Sequence, residues 1–329
     1  MADAGVIVLV TVAAVYASHV RQEREHIMAD LRSVAEAAQR ALVRPLRSRL
    51  GSTRMATMYL AAAAEARIGG DFYEAQRTPY GVRIMIGDVR GKGLPAVEAA
   101  AVMMGAFREA VHDASDLPAL AARLETSIRR YAAQAQASDV EERFATGLLA
   151  EMPENGTALR LLSCGHPPPL LLSGGTVREL EATASSPPFN LAALLHDEYQ
   201  VDIAPFGAGD SLVLYTDGVS EARNRDDVFY YPVAERIGTF ATAVPGELVD
   251  RLGADLLAYA CDELNDDAAA LVIRRTSSSR GPRCGPAGSR WRVEHSALYW
   301  PGRLAHRRPG RQRPALRTAV RGSPAPTRC

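Results

Sequence analysis

The hydrophobic positions between residues 52 and 275 fall into short apolar segments separated by turns rich in glycine, proline and asparagine. Such segments, about four to eight residues long, are typical of β-strands. Alanine-rich amphipathic stretches at 94–112 and 117–136 predict a pair of helices, and a third helix is predicted at 245–261. Apolar segments predict strands at 55–63, 82–86, 144–152, 159–164, 170–173, 176–180, 200–204, 211–215 and 268–273. Because hairpins replace regular βαβ alternation, we predict an α+β fold with antiparallel sheets covered by helices.

The N-terminal segment differs from this pattern because residues 4–17 are uncharged and mostly apolar. A membrane span needs about 20 apolar residues, so the segment is short for a complete one. Tyr16 and then Arg21, Arg24 and Arg32 follow it, and positive charge favours the cytoplasmic side. We predict a membrane anchor at 1–17, at the cell membrane, with the rest of the chain in the cytoplasm. A buried helix is the alternative.

A continuous helix is predicted over residues 18–46, within a linker that ends at residue 50. Its apolar positions are spaced 7, 4, 3, 4 and 3 residues apart, which is a heptad pattern; they are Val20, Ile27, Leu31, Val34, Ala38 and Ala41. The spacing indicates a linker helix that forms a homodimer as a coiled coil. An amphipathic helix lying on the following domain explains the same pattern.

Charge divides the chain, although the formal net charge is zero. Residues 276–329 contain 12 arginines and one acidic residue, so residues 1–275 carry a net charge of −11. We predict that 276–329 is a disordered basic tail. It is either an arm for nucleic acid or anionic lipid, or an extension without selected structure, which we favour. The acidic domain itself is not expected to bind nucleic acid, because such binding depends on Lys and Arg.

Candidate chemistry lies where predicted strands end. Asp71, Asp88, Asp217 and Asp266 each stand where an apolar strand meets a loop. Carboxylates gathered at one sheet edge repel one another and attract cations, and oxygen ligands suit Mg²⁺ or Mn²⁺. The four cysteines form no zinc-binding pattern. A single Asp at such a position is commonly a turn residue, so the inference depends on the recurrence of the context.

The glycine-rich stretch 87–93 is not a P-loop. It has three residues between its first two glycines, and Gly93 stands where a P-loop has a hydroxyl residue. His166 is either a general acid or, as for most lone histidines, a structural residue. Lys92 either meets a substrate phosphate or balances the acidic edge.

Five ordered motifs resemble those of the SpoIIE/RsbU-type branch of the PPM (type 2C-like) serine/threonine phosphatases. The resemblance spans about residues 52–275 and is carried by GGDFYE (69–74), IGDVRGKGLPA (86–96), CGHPPPLLL (164–172), GDSLVLYTDGVSEAR (209–223) and DDAAALVIR (266–274). It implies a PPM-type α-β-β-α sandwich over 51–275, in which two antiparallel sheets are flanked by helices. It also implies hydrolysis of phosphoserine or phosphothreonine by metal-activated water.

The same resemblance implies a set of ligands for two Mn²⁺ or Mg²⁺ ions: Asp71, Asp88, the backbone carbonyl of Val89, Asp217 and Asp266. Asp88 would bridge both ions. Members of this branch act on phosphorylated anti-anti-sigma (STAS-type) proteins and so regulate sigma factors, which makes such a protein the expected substrate and partner.

Three positions depart from the family pattern without removing a ligand. Glu74 replaces the usual Asp, Ala268-Ala269 replaces the common Ile-Thr, and Asn190 stands where Gly is usual. Asn tolerates positive φ better than most residues, so the turn at Asn190 is expected to form. We therefore predict catalytic activity. The alternative is a catalytically silent regulator that binds a phosphoprotein.

Overall fold

The structure, a computed structural model, describes residues 16, 18–23, 42–44, 46–62, 69–134, 144–192, 198–224, 230–240, 244–262 and 264–277. Nearly all of the predicted membrane segment, most of the linker helix and nearly all of the basic tail lie outside these residues, so those assignments stay predictions. Within the described part, no helix combines the length and apolar character that a membrane crossing requires.

The described strands form two antiparallel sheets. The first has the order β1-β2-β11-β10-β7-β8 and the second the order β3-β4-β5-β6-β9. The strands are β1 (Arg49–Leu50), β2 (Thr53–Leu60), β3 (Phe72–Thr78), β4 (Gly81–Val89), β5 (Ala145–Met152), β6 (Ala158–Cys164), β7 (Leu170–Ser173), β8 (Thr176–Glu179), β9 (Asp202–Pro205), β10 (Ser211–Tyr215) and β11 (Ala268–Arg275).

A core between the sheets holds them face to face. It takes Ile84 and Leu148 from the second sheet, and Leu212 and Leu271 from the first, all nearly fully buried. Strand β11 lies inside the first sheet and has both faces covered, which explains its uninterrupted apolar sequence.

Helices cover the two outer faces. The helices are α1 (Leu94–Ala110), α2 (Leu117–Gln134), α3 (Asp217–Ser220), α4 (Val233–Gly238) and α5 (Pro245–Tyr259). A second core packs α1 and α2 against the five-stranded sheet, and a third packs α5 and its neighbours against the six-stranded sheet. The arrangement confirms the predicted α-β-β-α sandwich.

The element boundaries differ from the expectations in a few places. Pairing with β2 places Arg49 and Leu50 in the first sheet, two residues before the predicted start of the domain. Residues 43–44 and 46–48 are not helical, so the helix predicted to end at residue 46 ends earlier. The short helices α3 and α4 were not predicted, because four to six residues are too few to show a helical period. Asn190 adopts φ 73°, as expected for its turn.

Candidate metal centre

The β3–β4 hairpin brings the first two predicted carboxylates together. Phe72 pairs with Gly87, so Asp71 and Asp88, one residue further along each strand, face each other at the sheet edge. The connecting turn lies at the other end of the hairpin, where Thr78 pairs with Gly81. The lengths of β3 and β4 and their register therefore place Asp71 next to Asp88.

The other sheet supplies Asp217, which directly follows β10 and begins α3. Its neighbour Thr216 joins the sheets: the hydroxyl donates to Asp71 Oδ2 at 2.7 Å and accepts the N–H of Ala269 at 2.9 Å. Thr216 and Asp71 are both buried. This bridge holds the carboxylate of Asp71 in place against the edge that carries Asp217.

Carboxylate oxygens of Asp71, Asp88 and Asp217 lie within 4.8 Å of one another. Burial raises the pKa of Asp71 well above its usual range, and the charge of Asp88 raises it further. Burial and the charge of Asp217 do the same to the pKa of Asp88. The pKa of Asp217 is also raised, first by burial and then by Glu221 and Asp266. Without a cation, three negative charges in this space are costly.

Asp266 lies beside this cluster but outside it. Its carboxylate contributes to the raised pKa values of Asp88 and Asp217, which places its charge near theirs. One of its oxygens lies 3.1 Å from Lys92 Nζ, and its side chain is half exposed. The structure thus brings three of the four predicted aspartates into one group and leaves Asp266 paired with a lysine at the rim.

Asp267 has a different environment from its neighbour. It is 2% exposed and accepts three hydrogen bonds, from the Tyr59 hydroxyl at 2.5 Å, the Ala62 N–H at 2.8 Å and the Gly69 N–H at 3.0 Å. Burial, followed by the charge of Asp71, raises the pKa of Tyr59 and keeps its phenol a donor. Asp267 therefore holds the backbone at Ala62 and Gly69, both of which precede Asp71 in the chain.

Two glycines allow the backbones at this edge to approach closely. A Cβ at Gly70 would lie 2.6 Å from Val89 Cβ and 2.8 Å from the Val89 carbonyl oxygen. A Cβ at Gly218 would lie 1.9 Å from the Asp267 carbonyl oxygen. These contacts exclude any side chain at either position. Gly70 therefore allows the backbone next to Asp71 to approach Val89, and Gly218 allows the backbone next to Asp217 to approach Asp267.

Lys92 connects the glycine-rich turn to the loop before β11. Its ammonium group donates to the Asn265 carbonyl at 3.1 Å and pairs with Asp266. Of the two roles expected from the sequence, the geometry favours charge balance at the acidic edge.

His166 is a structural residue rather than a proton donor. It is 7% exposed, and its Nδ1 lies 3.2 Å from Thr146 Oγ1. Burial lowers the pKa of His166 to about 3, so the ring is neutral at physiological pH. A general acid needs a pKa near the working pH, so the burial of His166 favours the structural role.

The residues at this edge fit hard divalent cations. The donor atoms are carboxylate oxygens on short, immobilised side chains, and among the described residues no basic side chain contacts Asp71, Asp88 or Asp217. Burial and mutual repulsion raise the pKa values of these carboxylates, and a bound cation would relieve that repulsion. Oxygen-only sites of this kind select Mg²⁺ or Mn²⁺ over zinc.

Comparison with known proteins agrees with this geometry. A family model described as stage II sporulation protein E (SpoIIE) matches residues 78–276, more than half of the chain. The chain belongs to the SpoIIE family. The match begins after Asp71, so the first predicted ligand is placed by the fold rather than by the family model.

Solved structures show the fold of this SpoIIE-family domain in other proteins. The SiaA-PP2C domain of Pseudomonas aeruginosa matches with a TM-score of 0.61 and 20% identity, covering 77% of this chain and 98% of that one. The RsbU and RsbW domains of Rv1364c from Mycobacterium tuberculosis match with a TM-score of 0.57 and 24% identity, covering 71% of this chain. The match spans only 62% of the Rv1364c chain.

A third match is RsbX in complex with magnesium, with a TM-score of 0.52 and 14% identity, covering 70% of this chain and 99% of that one. At these identities the matches establish the fold. Together with the family model, they show that the chain carries a PP2C-type phosphatase domain.

Sequence reasoning about this SpoIIE-family site missed Thr216, Tyr59 and the separate role of Asp267. The position of Thr216 between a strand and Asp217 was a usable signal, because a hydroxyl there faces the neighbouring strand. Nothing in the sequence separates Asp266 from Asp267, since both follow the same loop. The long-range contacts of Asp267 with Tyr59, Ala62 and Gly69 show which of the two is buried.

Proposed function

We propose that this domain is an active phosphatase that hydrolyses phosphoserine or phosphothreonine on a regulatory protein. The observation that carries the proposal is the group of three carboxylates, with oxygens within 4.8 Å and raised pKa values, at the meeting edge of two sheets. A fold that only bound a partner would gain nothing from this arrangement, because uncompensated buried charge lowers stability.

The proposed ligands of two Mg²⁺ or Mn²⁺ ions are Asp71, Asp88, Asp217, Asp266 and the backbone carbonyl of Val89, with Asp88 shared by both ions. Magnesium in RsbX, which has this fold, supports the choice of ion. In such sites the ions acidify water and offset the charge of the phosphoryl group.

The other residues of the edge position this set. Thr216 holds Asp71 through a 2.7 Å hydrogen bond, and Asp267 holds the backbone at Ala62 and Gly69. Lys92 keeps Asp266 at the rim until a cation competes for it. Because these contacts exist before any ligand binds, the site is preorganised for charge that develops on a phosphoryl group.

For the substrate, we propose a phosphorylated anti-anti-sigma protein of the STAS type. Family membership supports this choice, as does the similarity to a protein that combines RsbU and RsbW domains.

We also propose that residues 1–17 attach the chain to the cell membrane, with the phosphatase domain in the cytoplasm and the linker helix joining two chains. Residue spacing and the arginines after residue 20 support these two points.

The test is phosphate release by the full chain, with Mn²⁺ or Mg²⁺, from a phosphoserine peptide and from a serine-phosphorylated STAS protein of the same genome. We expect metal-dependent release from both, faster from the STAS protein, and loss of both in Asp88→Asn. Release from the peptide alone would overturn the substrate assignment. No release from either, with both metals, would favour the catalytically silent regulator.

A further inference from the structure

A cavity lies at the end of the six-stranded sheet that is remote from the carboxylates. It is open to solvent, has a volume of about 750 Å³, and is lined by Arg49, Arg54 and Arg274 among others. Arg54 and Leu60 lie near opposite ends of β2. The loop that holds Asp266 leads into Ala268, which pairs with Leu60, so this loop lies at the end of the sheet remote from Arg54. At about 3.3 Å per residue, the cavity is roughly 20 Å from the metal centre.

The three arginines form a row across neighbouring strands. Arg49 of β1 is paired with Arg54 of β2, and Arg54 is paired with Arg274 of β11. Directly paired residues in antiparallel strands point to the same face. Met58 and Val272, an even number of residues away, lie in the core under α5, so the row points to the face that α5 covers.

This row concentrates positive charge on neighbouring strands. Like charges directly opposite each other destabilise a sheet. Among the described residues, neither Arg49 nor Arg54 forms an ion pair, and both are exposed. Of the acidic residues close in sequence to the cavity lining, Glu247 pairs with Arg251, and the Asp210 carboxylate accepts the N–H of Gly207 at 2.6 Å.

The start of α5 lies at the same cavity. Val244 and Pro245 line it, and no side chain caps the first turn of this helix. The unpaired N–H groups of a helix N-terminus attract anions. Arg275 does not join the row, because its guanidinium donates to the Pro153 carbonyl at 2.9 Å, on the opposite face of β11.

We propose that this cavity binds a small anion that carries two or more phosphate groups. Paired side chains on adjacent strands begin about 5 Å apart, so neighbouring guanidinium groups can each bind a separate phosphate. Cavities of roughly 300–1,000 Å³ are typical of small-molecule sites. Ala208, Val244 and Pro245 offer an apolar wall for the rest of the molecule.

The test is hydrogen exchange of the full chain, measured by mass spectrometry with tripolyphosphate as the probe. EDTA is present throughout, so the metal centre does not take up phosphate. We expect slower exchange in the segments 49–57 and 244–250, and this readout separates the cavity from the arginine-rich tail. The Arg49→Ala/Arg54→Ala variant should bind tripolyphosphate at least about tenfold more weakly, measured as the concentration that gives half of the full protection. Each lost hydrogen bond to a charged group is worth that factor or more.

Arg178→Ala is the matched control, since Arg178 is an exposed arginine at the opposite edge of the same sheet, and it should leave the protection unchanged. Without ligand, the double variant should unfold at the same temperature as the wild type or higher, because repulsion is removed. Equal protection in the double variant would overturn the proposal. So would an absence of protection by tripolyphosphate, or protection by anionic phospholipid vesicles alone.

Discussion

Two clusters of buried charge in this domain are built in opposite ways. At the sheet edge, Asp71, Asp88 and Asp217 crowd together without a basic partner among the described residues. Within the second sheet, Arg83 and Glu151 are 0% and 3% exposed and lie 2.8 Å apart, and Arg160 also pairs with Glu151. Arg83 further donates to the backbone carbonyls that join α1 to α2, at 2.6–3.3 Å.

The two clusters show that the presence or absence of a charged partner separates structural from functional charge. A buried group whose hydrogen bonds and charge are satisfied holds the fold together, and removing one member leaves the rest unpaired. A buried group that lacks a partner lowers stability and persists where a ligand supplies the missing charge. Asp267 extends this contrast into the metal edge itself, because its three hydrogen-bond donors make it a structural carboxylate.

The largest effect is expected from breaking the compensated cluster. Arg83→Met leaves Glu151 with only its partly exposed partner Arg160 and removes the bonds to the α1–α2 connection. We expect a loss of about 3–5 kcal/mol in the free energy of unfolding, measured by denaturant titration. Arg77→Met is the control, since Arg77 pairs with Glu154 on the surface, and it should cost about 0–1 kcal/mol. Equal losses would contradict the structural role of Arg83.

Asp267→Asn should come next. The amide cannot accept all three hydrogen bonds that the carboxylate accepts, so we expect a loss of about 1.5–3 kcal/mol. Asp266→Asn should change stability by less than about 1 kcal/mol, because its side chain is half exposed. The free energies of unfolding of the two variants, measured by denaturant titration, can be compared directly because the aspartates are adjacent. If Asp266→Asn were the more damaging variant, the assignment of roles would be reversed.

Asp88→Asn should have the opposite sign in metal-free protein. Relief of repulsion from Asp71 and Asp217 should stabilise the domain by about 1–3 kcal/mol in EDTA. The pKa of Asp71 and of Asp88 is raised in the folded protein, so the folded state holds their protons more tightly and loses stability as pH rises through those values. Between pH 5 and pH 8, the unfolding temperature should therefore fall more steeply with pH for the wild type than for the variant. Parallel curves would count against uncompensated charge.

The smallest effect is expected at the rim. Lys92→Met removes an exposed ion pair and should change stability by less than about 1 kcal/mol. Because Lys92 competes with a cation for Asp266, the variant should bind Mn²⁺ a few-fold more tightly, measured by calorimetry. Unchanged affinity would indicate that Asp266 is not a ligand.

The fold was largely predictable because strand and helix periods are local properties. The strand at 82–86 was predicted from its local apolar pattern, and the register of β3 with β4 brings Asp71 and Asp88 together. The buried partners of Arg83 were not predictable, since they lie 68 residues away at Glu151 and in a helix connection. The arginine row likewise depends on the pairing of β2 with β11, more than 200 residues apart in sequence.

The same limit applies to the site. The adjacent pair Asp266-Asp267 looked like one acidic feature, and the structure divides it into a rim carboxylate and a buried hydrogen-bond acceptor. Which residue is buried depends on the close approach of Gly218 to the Asp267 backbone, which no local pattern encodes. Long-range packing, rather than local propensity, decides such roles.

Calorimetric titration of Mn²⁺ into the metal-free full chain tests whether the acidic edge holds metal ions. We expect two ions per wild-type chain, with binding at both positions weakened or lost in Asp88→Asn because Asp88 would be shared by both ions. Binding should also raise the unfolding temperature of the wild type, since the ions relieve the repulsion. A wild type that binds no Mn²⁺, or an Asp88→Asn variant that binds the same number with the same affinity, would contradict it.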